Sequence, residues 1–227
     1  MKHLKFSILF LLVAAMQLTG QLLHIVKLST FSKPLITLSL AIFLITATSI
    51  KGRFHKRMLA GLIFALLGDM IPYFFGIRES FFVYQLAAFL GCSLCYISAF
   101  YLDFKSAPEL DKKGAKLTII SCGILSTAYF FYLRPHLGLM RVPVLAYILV
   151  ISLMFMMAAF RNLRVNSTSF YLIIIGAGCF VISDALLAYN EFVVNLPYSQ
   201  SFVILTYMVA QLLITLGAVE RQLIHKA

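Results

Sequence analysis

Eight apolar runs follow one another along this chain, at roughly 5–26, 34–50, 58–77, 81–102, 116–133, 141–160, 168–190 and 199–220. A helix needs about 20 apolar residues to cross the hydrocarbon core of a bilayer. The connectors between the runs are short, and most hold Pro, Gly or charge, so no extramembrane domain fits between them. The longest, Asp103 to Lys116, reads as a solvated loop of mixed sign. Hydrophobic residues make up 62% of the 227 and charged residues 12%, with a mean hydropathy of +0.96. A soluble domain carries about 45–50% apolar and about 25% charged residues. A secreted globular domain, a disordered chain and a typical cytosolic enzyme are therefore excluded. The expected architecture is an all-α integral membrane protein with eight transmembrane helices in a single polytopic domain over 1–227. No A-x-A cleavage site follows the first run, so that run is expected to stay as a transmembrane helix.

The net charge of +11 fits the positive-inside rule better than a nucleic-acid partner. With the N-terminus cytoplasmic, the inner segments carry Lys2, Lys5, Lys51, Arg53, Lys56, Arg57, Lys105, Lys112, Lys113, Lys116, Arg161, Arg164, Arg221 and Lys226. The outer segments carry only Lys27, Lys33, Arg78, Arg134 and Arg141. A seven-span division loses this asymmetry, so both termini are expected on the cytoplasmic side. The two halves also resemble each other. The second run opens with Lys33-Pro34-Leu35 and the sixth with Val142-Pro143-Val144, while the third carries Gly68-Asp69 and the seventh Ser183-Asp184. Both pairs are four helices apart and co-directional, as a parallel 4+4 repeat requires.

The four cysteines, Cys92, Cys95, Cys122 and Cys179, all lie in apolar runs and read as packing thiols, including the C-x-x-C of Cys92 and Cys95. The histidines, His3, His24, His55, His136 and His225, sit at ends or in connectors with no ligand spacing, so neither a metal nor another cofactor is expected.

Six of the eight acidic residues (Glu79, Asp103, Glu109, Asp111, Glu191 and Glu220) fall in connectors or at helix ends. Asp69 and Asp184 do not. An Asp at the centre of an inserting helix costs about 2.5–3.5 kcal/mol, and such residues usually face a polar cavity and carry function. Small residues share their helix faces: Gly61, Ala65, Pro72 and Gly76 around Asp69, and Gly176, Ala177 and Ala188 around Asp184. Both are expected to point into the bundle at similar depth and to meet in one pocket. The plainer reading is that each Asp only glues helices together. A close pair would share one proton and offer a general acid beside a general base, the pairing used in acetal and glycoside hydrolysis.

The ordered motifs are similar to those of the YhhN-like family of membrane proteins, which includes lysoplasmalogenases. The matching residues are Lys33-Pro34-Leu35, Ala65-Leu66-Leu67-Gly68-Asp69, Phe89 and Tyr96, Pro143-Val144 with Tyr147, Gly176-Ala177, Phe180, Ser183-Asp184, Leu187-Ala188, Phe192, Tyr207 and Gln211. The resemblance implies an eight-helix enzyme that cleaves the vinyl ether bond of lysoplasmalogens to a fatty aldehyde and a glycerophospho-head group. Its two family aspartates fall on Asp69 and Asp184. Where that family has His-x-x-Tyr in the fourth helix, this chain has Ser93-Leu94-Cys95-Tyr96. Ser93 can hydrogen-bond but does not titrate near neutral pH, which leaves the substrate and proton path open.

Further candidates for the substrate site follow. Lys33 could meet a phosphate or simply snorkel to the interface. Tyr96, Tyr147 and Tyr207 could line the cavity or satisfy a neighbouring carbonyl. Asn190 and Gln211 could fix the catalytic water, and Ser183 lies on the Asp184 side. The expected partners are a lysophospholipid substrate and membrane lipids, in a bacterial cytoplasmic membrane. A small-molecule or proton-coupled transporter is the rival. The inner halves of the spans show no polar residues continuing a path, which favours the hydrolase.

Overall fold

The structure is a computed structural model and describes residues 4–23, 25–75, 79–108, 111–194 and 199–224. Of the residues named above, Lys2, His3, His24, Gly76, Arg78, Glu109, His225 and Lys226 lie outside them.

With no water in a bilayer core to compete, backbone N–H and C=O groups must pair within the segment, and helices do so completely. Eight helices form among the described residues: α1 (Leu4–Leu22), α2 (Val26–Thr48), α3 (Arg53–Phe75), α4 (Glu79–Phe104), α5 (Lys112–Leu133), α6 (Arg141–Ala159), α7 (Ser167–Phe192) and α8 (Ser199–Val219). Seven stretches are long and apolar enough to cross a membrane, one on each of α2 to α8. In α1 the apolar stretch is the shorter Phe10–Gln21. The chain is a multi-pass membrane protein.

Two expectations are corrected. The second helix starts at Val26, eight residues before Pro34, so Lys33-Pro34-Leu35 lies inside α2 instead of opening it. Proline is tolerated within a membrane helix because neighbouring helices and Ser/Thr side chains take up the freed backbone groups. Pro143, by contrast, sits in the first turn of α6, where its missing N–H costs nothing. The second correction concerns Asp103, which is not part of a solvated loop. It occupies the last turn of α4 and is 0% exposed.

The chain divides into two compact units, residues 1–95 and 96–227, with the division inside α4. In the first unit, Ile36, Leu40 and Leu44 of α2 and Met58, Leu62 and Ala65 of α3 are essentially inaccessible. Phe6 of α1 stacks on Phe43 of α2 at 3.9 Å, and Ser32 donates a hydrogen bond to Gln17 across the same helix pair. Gly52, at φ +94°, supplies the left-handed backbone that the α2–α3 turn requires.

In the second unit α7 packs closely against α8. A Cβ on Gly176 would stand 3.0 Å from the Ala210 carbonyl and the Ile214 nitrogen, so a larger residue would have to push the two helices apart. Leu133, Leu137, Val144 and Ile148 form an apolar cluster with Phe192 and Tyr129 around it. Leu133 is the one buried residue of α5, whose Ile124 and Leu125 are 63% and 68% exposed, a surface suited to lipid.

Asp103 anchors the opposite end of this unit. Its Oδ2 accepts from Arg161 Nε at 2.8 Å and its Oδ1 from Arg221 Nε at 2.8 Å. Arg161 is itself 0% exposed, with Ser169 Oγ on Nη2 at 2.9 Å and the Phe100 ring 5.4 Å from its guanidinium carbon. Burial pulls the Arg161 guanidinium down from its ordinary value, and the Asp103 carboxylate pulls it back up. The segment after α8 folds back on the α6–α7 turn through the Val165–Leu223 bridge and the Asn166–Gln222 hydrogen bonds.

Candidate active site

Asp69 lies in the second half of α3, 1% exposed. Two donors from α2 approach its two oxygens. Thr37 Oγ1 donates to Oδ2 at 2.6 Å, and Lys33 Nζ stands 3.2 Å from Oδ1. Lys33 and Thr37 are one turn apart, so one helix face presents both. The Lys33 ammonium also lies 5.6 Å from the centroid of the Phe89 ring of α4. Gly68 makes room for that ring, because a Cβ there would be 3.3 Å from the ring and from Ala88. Each residue of the Gly68-Asp69 pair therefore has a distinct part in this centre. Gly61 and Ala65, the small residues expected on the Asp69 face, are buried.

Asp184 lies in α7 and is partly buried. The phenol of Tyr147, on α6, donates to its Oδ2. Tyr129 of α5 donates to the neighbouring Ala185 carbonyl. Gly176 and Ala177, expected on this face, are buried. Asp69 belongs to the first unit and Asp184 to the second. The two centres are built alike. In each, the helix before the aspartate carries a proline and, three or four residues later, a hydroxyl that donates to the carboxyl: Pro34 and Thr37 for Asp69, Pro143 and Tyr147 for Asp184.

The remaining candidates lie on α8 or hydrogen-bond to it. Tyr96 donates to Gln211 Oε1 at 2.7 Å, with both residues fully buried. Ser183 donates to the Val203 carbonyl at 2.9 Å. Ser199 donates to Asn190 Oδ1 at 2.6 Å, tying the end of α7 to the start of α8. Tyr207 is 4% exposed and meets the Phe180 ring edge-on. Ser199, Tyr207, Gln211 and Thr215 share one helix face and are all buried. Gln211 Nε2, Thr215 Oγ1 and, on α4, the fully buried Ser93 Oγ have no hydrogen-bond partner among the described residues.

The expectation that no polar residues continue toward the far ends of the spans is thus not met. Gln211 and Thr215 of α8 and Ser169 of α7 are buried, and Ser169 accepts from Arg161 of the Asp103 cluster. The argument against transport drawn from a missing path therefore falls. Sequence reasoning also missed Thr37 and Asp103. Thr37 has no signal of its own among the Ser and Thr residues of α2, and Asp103 is masked by the charged residues that follow it.

Among the curated proteins that resemble the chain are three lysoplasmalogenases. The lysoplasmalogenase of Mycobacterium tuberculosis is 28% identical over 172 residues, covering 73% of this chain and 61% of that protein. Lysoplasmalogenase TMEM86A of Homo sapiens is 30% identical over 72% of this chain and 65% of its own length. Lysoplasmalogenase TMEM86B of Sus scrofa is 31% identical over 82% of this chain and 73% of its own length. The match thus spans less than two thirds of the mycobacterial and human TMEM86A proteins. None of these names favours the transporter alternative, and no solved structure matches the chain significantly. Residues 28–218, which hold both aspartate centres, match the YhhN family profile. The chain therefore belongs to the YhhN family.

Proposed function

We propose that this chain is an intramembrane hydrolase. On this reading it cleaves the vinyl ether bond of lysoplasmalogen-like lysophospholipids, giving a fatty aldehyde and a glycerophospho-head group. The observation that carries the reading is the lysoplasmalogenase name shared by its relatives in organisms as distant as Mycobacterium tuberculosis and Homo sapiens. The two aspartate centres supply suitable chemistry. A carboxylic acid delivers a proton to the vinyl carbon β to the ether oxygen, leaving an oxocarbenium ion. A carboxylate stabilises that cation and takes a proton as water adds. The hemiacetal then breaks as the first carboxyl, now ionised, takes its hydroxyl proton and the second, now protonated, gives a proton to the departing alcohol oxygen. One water is consumed, aldehyde and alcohol form, and both carboxyls return to their starting forms. Asp69 and Asp184 are the acid–base groups in this proposal, and the reaction needs no cofactor. Tyr96, Tyr147, Ser183, Asn190, Tyr207 and Gln211 are the polar groups toward substrate, with Lys33 beside Asp69.

The same proposal places the protein in a bacterial cytoplasmic membrane as one polytopic domain with eight spans and both termini inside. The excess of Lys and Arg in alternate connectors supports this orientation. A parallel 4+4 repeat is supported by the matched proline, hydroxyl and aspartate arrangements of α2–α3 and α6–α7.

Detergent-purified protein is expected to release aldehyde from a lysoplasmalogen and none from the saturated alkyl analogue, which cannot form the cation by protonation. Asp69→Asn and Asp184→Asn should each lower the rate at least about 100-fold, as loss of acid–base catalysis does. No aldehyde from the wild type, or undiminished release by both variants, overturns the reading.

A further inference from the structure

The geometry points to Thr37 as a positioning residue that, with Lys33, holds Asp69 as a charged carboxylate. Asp69 is then the group that stabilises the cation and orients the water, not the source of the first proton. The chemical role rests on the hydrolase reading above; the charge state does not.

Three observations carry this. The Asp69 side chain is fully buried, and the Lys33 ammonium stands 3.2 Å from one of its oxygens. A neutral carboxyl there would leave the ammonium without its counter-charge in a medium where an isolated charge is costly, whereas the ionised pair is neutral overall. The Phe89 ring, 5.6 Å from the ammonium, favours the cation independently through its negative π face. The third is Thr37, whose hydroxyl donates to the second oxygen at 2.6 Å. An ionised carboxylate only accepts, so an ammonium and a hydroxyl on its two oxygens suit that form. Lys33 and Thr37 come from one face of α2, which fixes the plane of the carboxylate against α3. Such a group has no proton to give to the vinyl carbon. Its negative charge can face the oxocarbenium carbon, and it can accept a proton from the adding water.

The charge state is read without turnover. Infrared difference spectra of wild type against Asp69→Asn at neutral pH should show loss of ionised-carboxylate stretches. Loss of a protonated-carboxyl band overturns the proposal, whatever the variant's activity. Thr37→Val, which keeps the side-chain shape, should shift the Asp69 carboxylate bands and lower kcat about 10–100-fold, the worth of a hydrogen bond to a charged group. KM should change less than about twofold, because the substrate is not touched. Thr37→Ser should restore most of kcat. A purely structural role predicts loss of folded protein with no separation between Val and Ser in the folded fraction, and that result overturns the proposal. If the wild type releases no aldehyde, the hydrolase reading fails alone and the infrared result still decides the charge of Asp69.

Discussion

Replacing Asp103 by Asn tests the anchor at the end of α4. The substitution keeps the volume and one acceptor oxygen but removes the charge. Arg161, at 0% exposure, then keeps its guanidinium without the carboxylate that accepts from Nε at 2.8 Å, and Arg221 loses the same partner. Breaking a buried pair by removing one member costs about 3–5 kcal/mol, because the other charge stays buried. For a chain of this size each kcal/mol moves Tm by about 2–4 °C, so a fall of about 6–20 °C is expected. The chain has no Trp but four free cysteines, of which Cys92 is fully buried. A fluorogenic maleimide that reports thiol exposure on heating in detergent is therefore the suitable probe. The double variant Asp103→Leu with Arg161→Met, which replaces both charges with apolar groups, should recover part of the loss. A fall in Tm below 2 °C for Asp103→Asn (about 1 kcal/mol or less) refutes the reasoning, as does a double variant no better than the single.

The close approach of α7 and α8 predicts that Gly176→Ala lowers Tm, at about 1–3 kcal/mol of overpacking, since its Cβ would meet backbone atoms at 3.0 Å. Gly123→Ala, where a Cβ meets nothing within 4 Å, should leave Tm unchanged or raise it slightly in the same thiol assay. Asp111 caps α5, and its carboxyl is held below the ordinary carboxylate range, first by the Gly114 N–H and then by the Asn162 side chain. A carboxyl lowered on folding stabilises the protein above its unfolded value and loses that contribution as pH falls through the folded one. The Tm advantage of wild type over Asp111→Asn should therefore be present at neutral pH and vanish in acid. A pH-independent difference contradicts this account.

The helices were legible because apolar runs of membrane-spanning length admit few alternatives in lipid. The two intramembrane aspartates were legible for the same reason: a carboxyl in such a run is costly enough to need a purpose. The start of α2 was misread because a proline after a lysine looks alike at a helix start and inside a helix. The difference depends on what else satisfies the backbone around Pro34. Asp103 was misread because its neighbours Lys105 and Ser106 look solvated, while the partners that bury it are Arg161 and Arg221. Thr37 is one of several hydroxyls on α2, and Thr46 and Thr48 simply bond back to carbonyls of their own helix. Only the packing of α3 distinguishes it.

The spacing of the Asp103 partners also sets an order of events during synthesis. Arg161 follows Asp103 by 58 residues and Arg221 by 118. At about 5–20 residues per second, the carboxylate leaves the ribosome roughly 3–12 s before its first cation and roughly 6–24 s before its second. Until then it must stay near water at the membrane surface or draw on a passing cation. Burial of the α4 end is thus a late step of biogenesis, completed only once the segment beyond α8 has been made.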